Sequence, residues 1–180
     1  MAVLQLVLGP DPLLKQKATP VDEITDEIRT LVTDMFDTLY ERKGLGIGAN
    51  MVGELKRIAV VDLQEGGEKK PIVCINPEIT WYSDTVISRE EASLCFPGIS
   101  ATVSRPDAIK VRCQDLDGKT KEIEADGWFA TVLQHEIDYL DGKIYLDYLS
   151  KMKRDRLIKK MQKQIKSHSC GDPSCSHDHH

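Results

Sequence analysis

The chain predicts an α+β fold built on antiparallel sheet. Three observations lead there: one amphipathic stripe near the N-terminus, a run of short β-branched segments ending in a hairpin signal at Asp117-Gly118, and two helical segments confined to the C-terminal part. Strand and helix do not alternate regularly, which argues against a doubly wound parallel sheet. No internal repeat is present.

From Thr25 to Lys43 the residues Ile28, Leu31, Val32, Met35, Phe36, Leu39 and Tyr40 recur at the spacing of a helix lying on a core. Thr25 or Asp22 is the expected cap. Gly44, Gly46, Gly48 and Gly53 then mark a segment too glycine-rich for a helix interior, read as loop, followed by a strand over 57–63. Further strands are expected at 71–75 and 79–82. The segment 109–113 alternates inward and outward before Asp117-Gly118, with its partner at 120–124. After Asp126-Gly127, Trp128, Val132, His135 and Tyr139 share one helical face, and Asp141-Gly142 suits a C-terminal cap. The last element is a basic helix over 151–166.

At 180 residues, 41% apolar and 29% charged, the chain has ordinary globular composition and predicts one domain over 1–166. The net charge of -5 is uneven: residues 150–166 carry eight Lys or Arg against one Asp, while 1–149 carry sixteen basic and twenty-six acidic residues. The apolar run at the N-terminus has no basic leader and stops at Gly9-Pro10, so it reads as neither signal peptide nor membrane span and makes a cytoplasmic or organelle-matrix location the expectation. Five cysteines, an odd number, predict reduced thiols rather than a disulfide scaffold. Residues 167–180 are Ser-, His- and Cys-rich and are expected to form a flexible tail in which His168, Cys170, Cys175, His177, His179 and His180 are candidate metal ligands.

Gln134-His135-Glu136-Ile137-Asp138-Tyr139 resembles a zinc-hydrolase helix in which the second histidine has become a phenol. A lone His-Glu pair on a helix carries no catalytic meaning by itself. Its surroundings supply the meaning, because Gly44 to Gly53, Glu91-Ala92-Ser93-Leu94-Cys95-Phe96-Pro97-Gly98 and Gln134 to Gly142 occur in the order and spacing of peptide deformylases. The chain resembles that family over roughly residues 3 to 166. The resemblance implies antiparallel sheets around a central motif-bearing helix. It also implies hydrolysis of the formyl group from N-terminal formyl-methionine of nascent polypeptides, with a divalent iron or zinc ion (Fe2+ or Zn2+) held by one Cys and two His.

The family motifs read Gly-x-Gly-Leu-Ala-Ala-x-Gln-x-Gly, Glu-Gly-Cys-Leu-Ser and Gln-His-Glu-x-Asp-His-Leu. By that resemblance the metal ligands fall on Ser93, His135 and Tyr139, the general base on Glu136, the oxyanion donor on Met51 and a backbone N–H on Leu94. Leu45, Gly46, Glu91, Trp128 and Val132 border the substrate pocket. Three decisive positions differ in chemistry. A serine hydroxyl is a hard donor that stays protonated where a thiolate would ionise. A phenol with an ordinary pKa near 10 ionises reluctantly. A methionine donates no hydrogen bond to an oxyanion.

These departures predict that deformylation is weak or absent and that the ancestral site binds no metal. One alternative is a working deformylase with unusual ligation, in which Ser93, or Cys95 from a position roughly 6.6 Å along a strand, holds the ion together with His135 and Tyr139. Another is a protein that handles metal through its tail. A cysteine-hydrolase reading, Cys95 activated by His135, lacks an orienting third residue. Formyl-methionyl or methionyl peptide N-termini are the expected partners. The ribosome is a further candidate through the basic C-terminal helix, and no membrane partner is expected.

Overall fold

Thr25 starts α1 (Asp26–Glu41): its hydroxyl accepts the Ile28 N–H at 3.3 Å, satisfying one of the free amides of the first turn. The stripe read from the sequence then turns Ile28, Val32, Met35 and Leu39 into the core. The structure, a computed structural model, describes residues 2–169.

Seven strands follow. Five form one sheet in the order β1 (Gly46–Gly48), β2 (Ile58–Val61), β3 (Ile72–Tyr82), β6 (Ala108–Gln114), β7 (Thr120–Asp126), every neighbouring pair antiparallel. β4 (Val86–Ser93) and β5 (Phe96–Pro106) make a separate two-stranded ribbon. The second helix, α2 (Gly127–Leu140), lies against β1, β2, β6 and β7 of the large sheet and also touches β5 of the ribbon. Residues 130–137, 139 and 140 are accordingly all buried, the pattern of a helix enclosed on every side. Gly142, at φ 77°, closes α2 by donating its N–H to the Tyr139 carbonyl at 3.0 Å. The fold is α+β with antiparallel sheets around the motif-bearing helix.

Three local expectations need correction. The glycine-rich segment contains a strand as well as loop, because Gly46–Gly48 pairs with Ala59–Val61. A Cβ at Gly46 would stand 2.8 Å from Glu136 Cγ, so this strand can run against α2 only without a side chain there. The two strands expected at 71–75 and 79–82 are one strand with register shifts between Ile75 and Glu78 and between Ile79 and Trp81. Asn76 sits at the first shift with φ 52° and bonds Val21 N, Val21 O and the Gln114 side chain, which fixes the bend. β4 of the ribbon carries so many polar residues that its alternation is not legible in the sequence. α3 runs Lys151–Ser169, three residues beyond the expected end, and takes in His168. Residues 170–180, with the tail candidates Cys170, Cys175, His177, His179 and His180, lie outside the described residues.

Candidate active site

Two turns of α2 and the β4–β5 hairpin meet at one cavity of about 470 Å³. Leu45, Gly46, Met51, Glu91, Ser93, Leu94, Trp128, Val132, His135 and Glu136 all line it. Every pocket residue expected from the sequence is therefore at one place. Tyr139 lies below this lining, fully buried. Among residues that the motifs did not point to, Lys43, Glu90 and Thr131 reach the same cavity.

His135 is held by a carboxylate. Its Nδ1 lies 2.8 Å from Glu91 Oε1, and because an ionised carboxylate only accepts, Nδ1 carries the proton and donates. Burial pushes the Glu91 carboxyl up, but hydrogen bonds from His135 and Arg105 outweigh it and hold the group below its ordinary value. Arg105 grips both Glu91 oxygens, Nε to Oε2 at 2.7 Å and Nη2 to Oε1 at 2.9 Å, and its Nη1 reaches Asp138 Oδ2 at 2.8 Å. The Tyr148 hydroxyl donates to the same Asp138 oxygen at 2.7 Å. The His135 ring is packed between Tyr139 and Tyr145, each centroid 5.4 Å away. The imidazole is thus fixed in tautomer and orientation. In its neutral form Nε2 keeps the lone pair.

Arg105 was missed in the sequence, although it is 3% exposed and bonds Glu91, Asp138 and Tyr148. A signal existed. β5 buries alternate residues from Ile99 through Ala101 and Val103, and an arginine at the next inward position demands buried carboxylates.

The metal position is where the chemistry departs. Ser93 Oγ and Tyr139 Oη, the two side chains expected to grip a cation, lie 2.5 Å apart and hydrogen bond to each other. Burial drives the Tyr139 phenol well above its ordinary value. Cys95 is not a strand residue two steps along from Ser93, as the alternative ligation assumed: it sits in the tight β4–β5 turn, its N–H donating to Ser93 Oγ at 3.2 Å. Its thiol contacts both hydroxyls, and burial pushes it up to about 12, so it is neither a ready ligand nor a nucleophile. Among the described residues no three His, Cys, Asp or Glu side chains gather in a way that could hold a metal ion. The residues present do not fit the divalent cation of the family.

The oxyanion position is altered as well. Met51 is buried, and its sulfur accepts the Gly48 N–H at 3.2 Å. It offers an acceptor where a donor is needed. Glu136, 4% exposed, packs against Gly46 and leaves Oε2 with no hydrogen-bond partner. Burial pushes its carboxyl up to about 7.

Comparison with known proteins agrees with the fold. A family model for polypeptide deformylase matches residues 3–155. A protein from Rickettsia conorii named peptide deformylase-like is 51% identical over 164 residues, covering 91% of this chain and 90% of that one. A peptide deformylase from Bartonella tribocorum is 44% identical over 169 residues, 92% of this chain and 95% of its own. The crystal structure of peptide deformylase from Ehrlichia chaffeensis superposes with a TM-score of 0.88 at 38% identity, covering 93% of this chain and 99% of that one. The chain belongs to the peptide deformylase family, a family of metal-dependent hydrolases acting on the N-terminal peptides of nascent chains. No helix among the described residues is long and apolar enough to cross a membrane.

Proposed function

We propose that this member of the family keeps the peptide-binding cavity and has lost most or all of the hydrolysis, acting as a binder of methionyl N-termini. The observation that carries the reading is the 2.5 Å hydrogen bond between Ser93 and Tyr139, which joins the two side chains where the family sets ligands around a cation. Loss of an oxyanion donor adds a separate penalty on the order of 10²–10³ in turnover. The cavity supports binding: it is lined by Leu45, Leu94, Val132 and Trp128, and an unbranched thioether side chain buried there gains about 1.5–3 kcal/mol.

His135 and Glu91 hold one wall rigid and Glu136 offers an acceptor, so the residues bind and orient without activating a water. The basic helix α3 exposes Lys151, Lys153, Arg156, Lys159, Lys160, Lys163 and Lys166, which suits contact with ribosomal RNA and would bring the cavity near emerging chains. Metal uptake by the tail would be a property independent of this site.

The second reading, a working deformylase, is favoured by the name of the relative at 44% identity. The test is release of free amine from formyl-Met-Ala-Ser with ferrous, nickel or zinc ion supplied. The proposal expects binding without turnover. Hydrolysis at a rate typical of enzymes, about 1–10³ per second, would overturn it.

A further inference from the structure

We infer that the cavity selects a free methionyl α-ammonium over a formylated one, the reverse of the preference that hydrolysis requires. The inference rests on the binding function proposed above and names its ligand class.

The cavity wall carries an acceptor in need of a donor. Glu136 Oε2 is buried and has no partner, a state that stays unfavourable until something donates to it. The neighbouring carboxylate Glu91 is already saturated by Arg105 and His135 and competes for no ligand proton. Gly46 keeps the approach to Glu136 open, since any Cβ there would stand 2.8 Å from its Cγ and 3.0 Å from its Oε1.

The two candidate ligands differ in what they bring to that oxygen. A free N-terminus brings an ammonium, with three donors and a positive charge. A formylated N-terminus brings one weaker N–H and a carbonyl oxygen that itself needs a donor. Of the two positions that would answer that oxygen, the Leu94 N–H is kept, but the other is Met51, whose sulfur has no proton to give and is occupied by the Gly48 amide. The formyl oxygen would therefore find one of its two donors replaced by an acceptor. Lys43, the one lysine among the lining residues, stands on the exposed rim rather than beside Glu136.

The test uses the full-length protein in buffer with chelator, and calorimetric titration with two peptides, Met-Ala-Ser and formyl-Met-Ala-Ser. The free-amine peptide should bind at least about tenfold more tightly, the yield of one charge-assisted hydrogen bond. Glu136→Gln should bring that ratio below about threefold, the loss falling on the free-amine peptide. Equal or tighter binding of the formyl peptide by the unaltered protein overturns the inference and leaves the binding function standing. So does an undiminished ratio in a folded Glu136→Gln protein. Binding of neither peptide overturns the binding function itself, and the inference with it.

Discussion

Arg105 gives the sharpest test of how the site is held. Replacing it with leucine keeps most of the volume and removes four hydrogen bonds: two to Glu91, one to Asp138 and one to Tyr148. Glu91 is 2% exposed, so its carboxylate cannot turn to water and would keep only the bond from His135. Breaking a buried pair by removing one partner costs about 3–5 kcal/mol, because the remaining charge is stranded. For a chain of this size that corresponds to a fall in melting temperature of roughly 6–20 °C. Urea unfolding at pH 7 measures the loss directly. Arg105→Leu combined with Glu91→Gln should be milder than Arg105→Leu alone, since most of the loss comes from the stranded carboxylate. A loss below about 1 kcal/mol for the single change would match an exposed ion pair and refute the claim that Arg105 organises the site.

Glu136 should leave a signature in the pH dependence of stability. Its carboxyl sits at about 7 in the folded chain against 4.5 ordinarily, so the folded state holds the proton more tightly and loses stability as pH rises through that window. Glu136→Gln should therefore gain roughly 3 kcal/mol relative to the unaltered protein between pH 4.5 and pH 8, from the size of that shift; a pH-independent difference speaks against it. Gly46→Ala should cost about 1–3 kcal/mol through overpacking and also weaken peptide affinity by displacing Glu136; denaturation and titration of the same protein check both. The triple change Ser93→Cys, Tyr139→His and Met51→Gln should create stoichiometric zinc binding and measurable deformylation, read by metal analysis and amine release. Failure of a folded triple variant would mean that the surrounding shell has drifted too.

Much of the fold was legible because local signals agreed with packing. The α1 stripe, the Asp117-Gly118 hairpin and the α2 face each stood in the sequence as a period or a turn. β4 was not legible, since Ser88, Arg89 and Glu90 obscure the alternation. β1 was hidden for a different reason: its glycines weaken strand propensity and are there to admit α2. At the site, motif order was enough to name Leu45, Gly46, Met51, Glu91, Ser93, Leu94, Trp128, Val132, His135 and Glu136, which line the cavity, but not Lys43, Glu90 or Thr131. The Arg105 clamp escaped because it depends on residues more than thirty positions away at Asp138 and fourteen away at Glu91, a pairing that no local pattern encodes. The Cys95 geometry escaped because a strand was assumed where the chain makes a turn.

What lies between Ser93, His135 and Tyr139 decides whether this chain can hydrolyse anything. Crystals of the full-length protein soaked in zinc, with diffraction data collected at the zinc absorption edge, measure it directly. The expected result is no anomalous peak there and a Ser93–Tyr139 hydrogen bond left intact. A fully occupied cation seated among those three side chains, with the two hydroxyls drawn apart onto it, would contradict the loss of the metal centre.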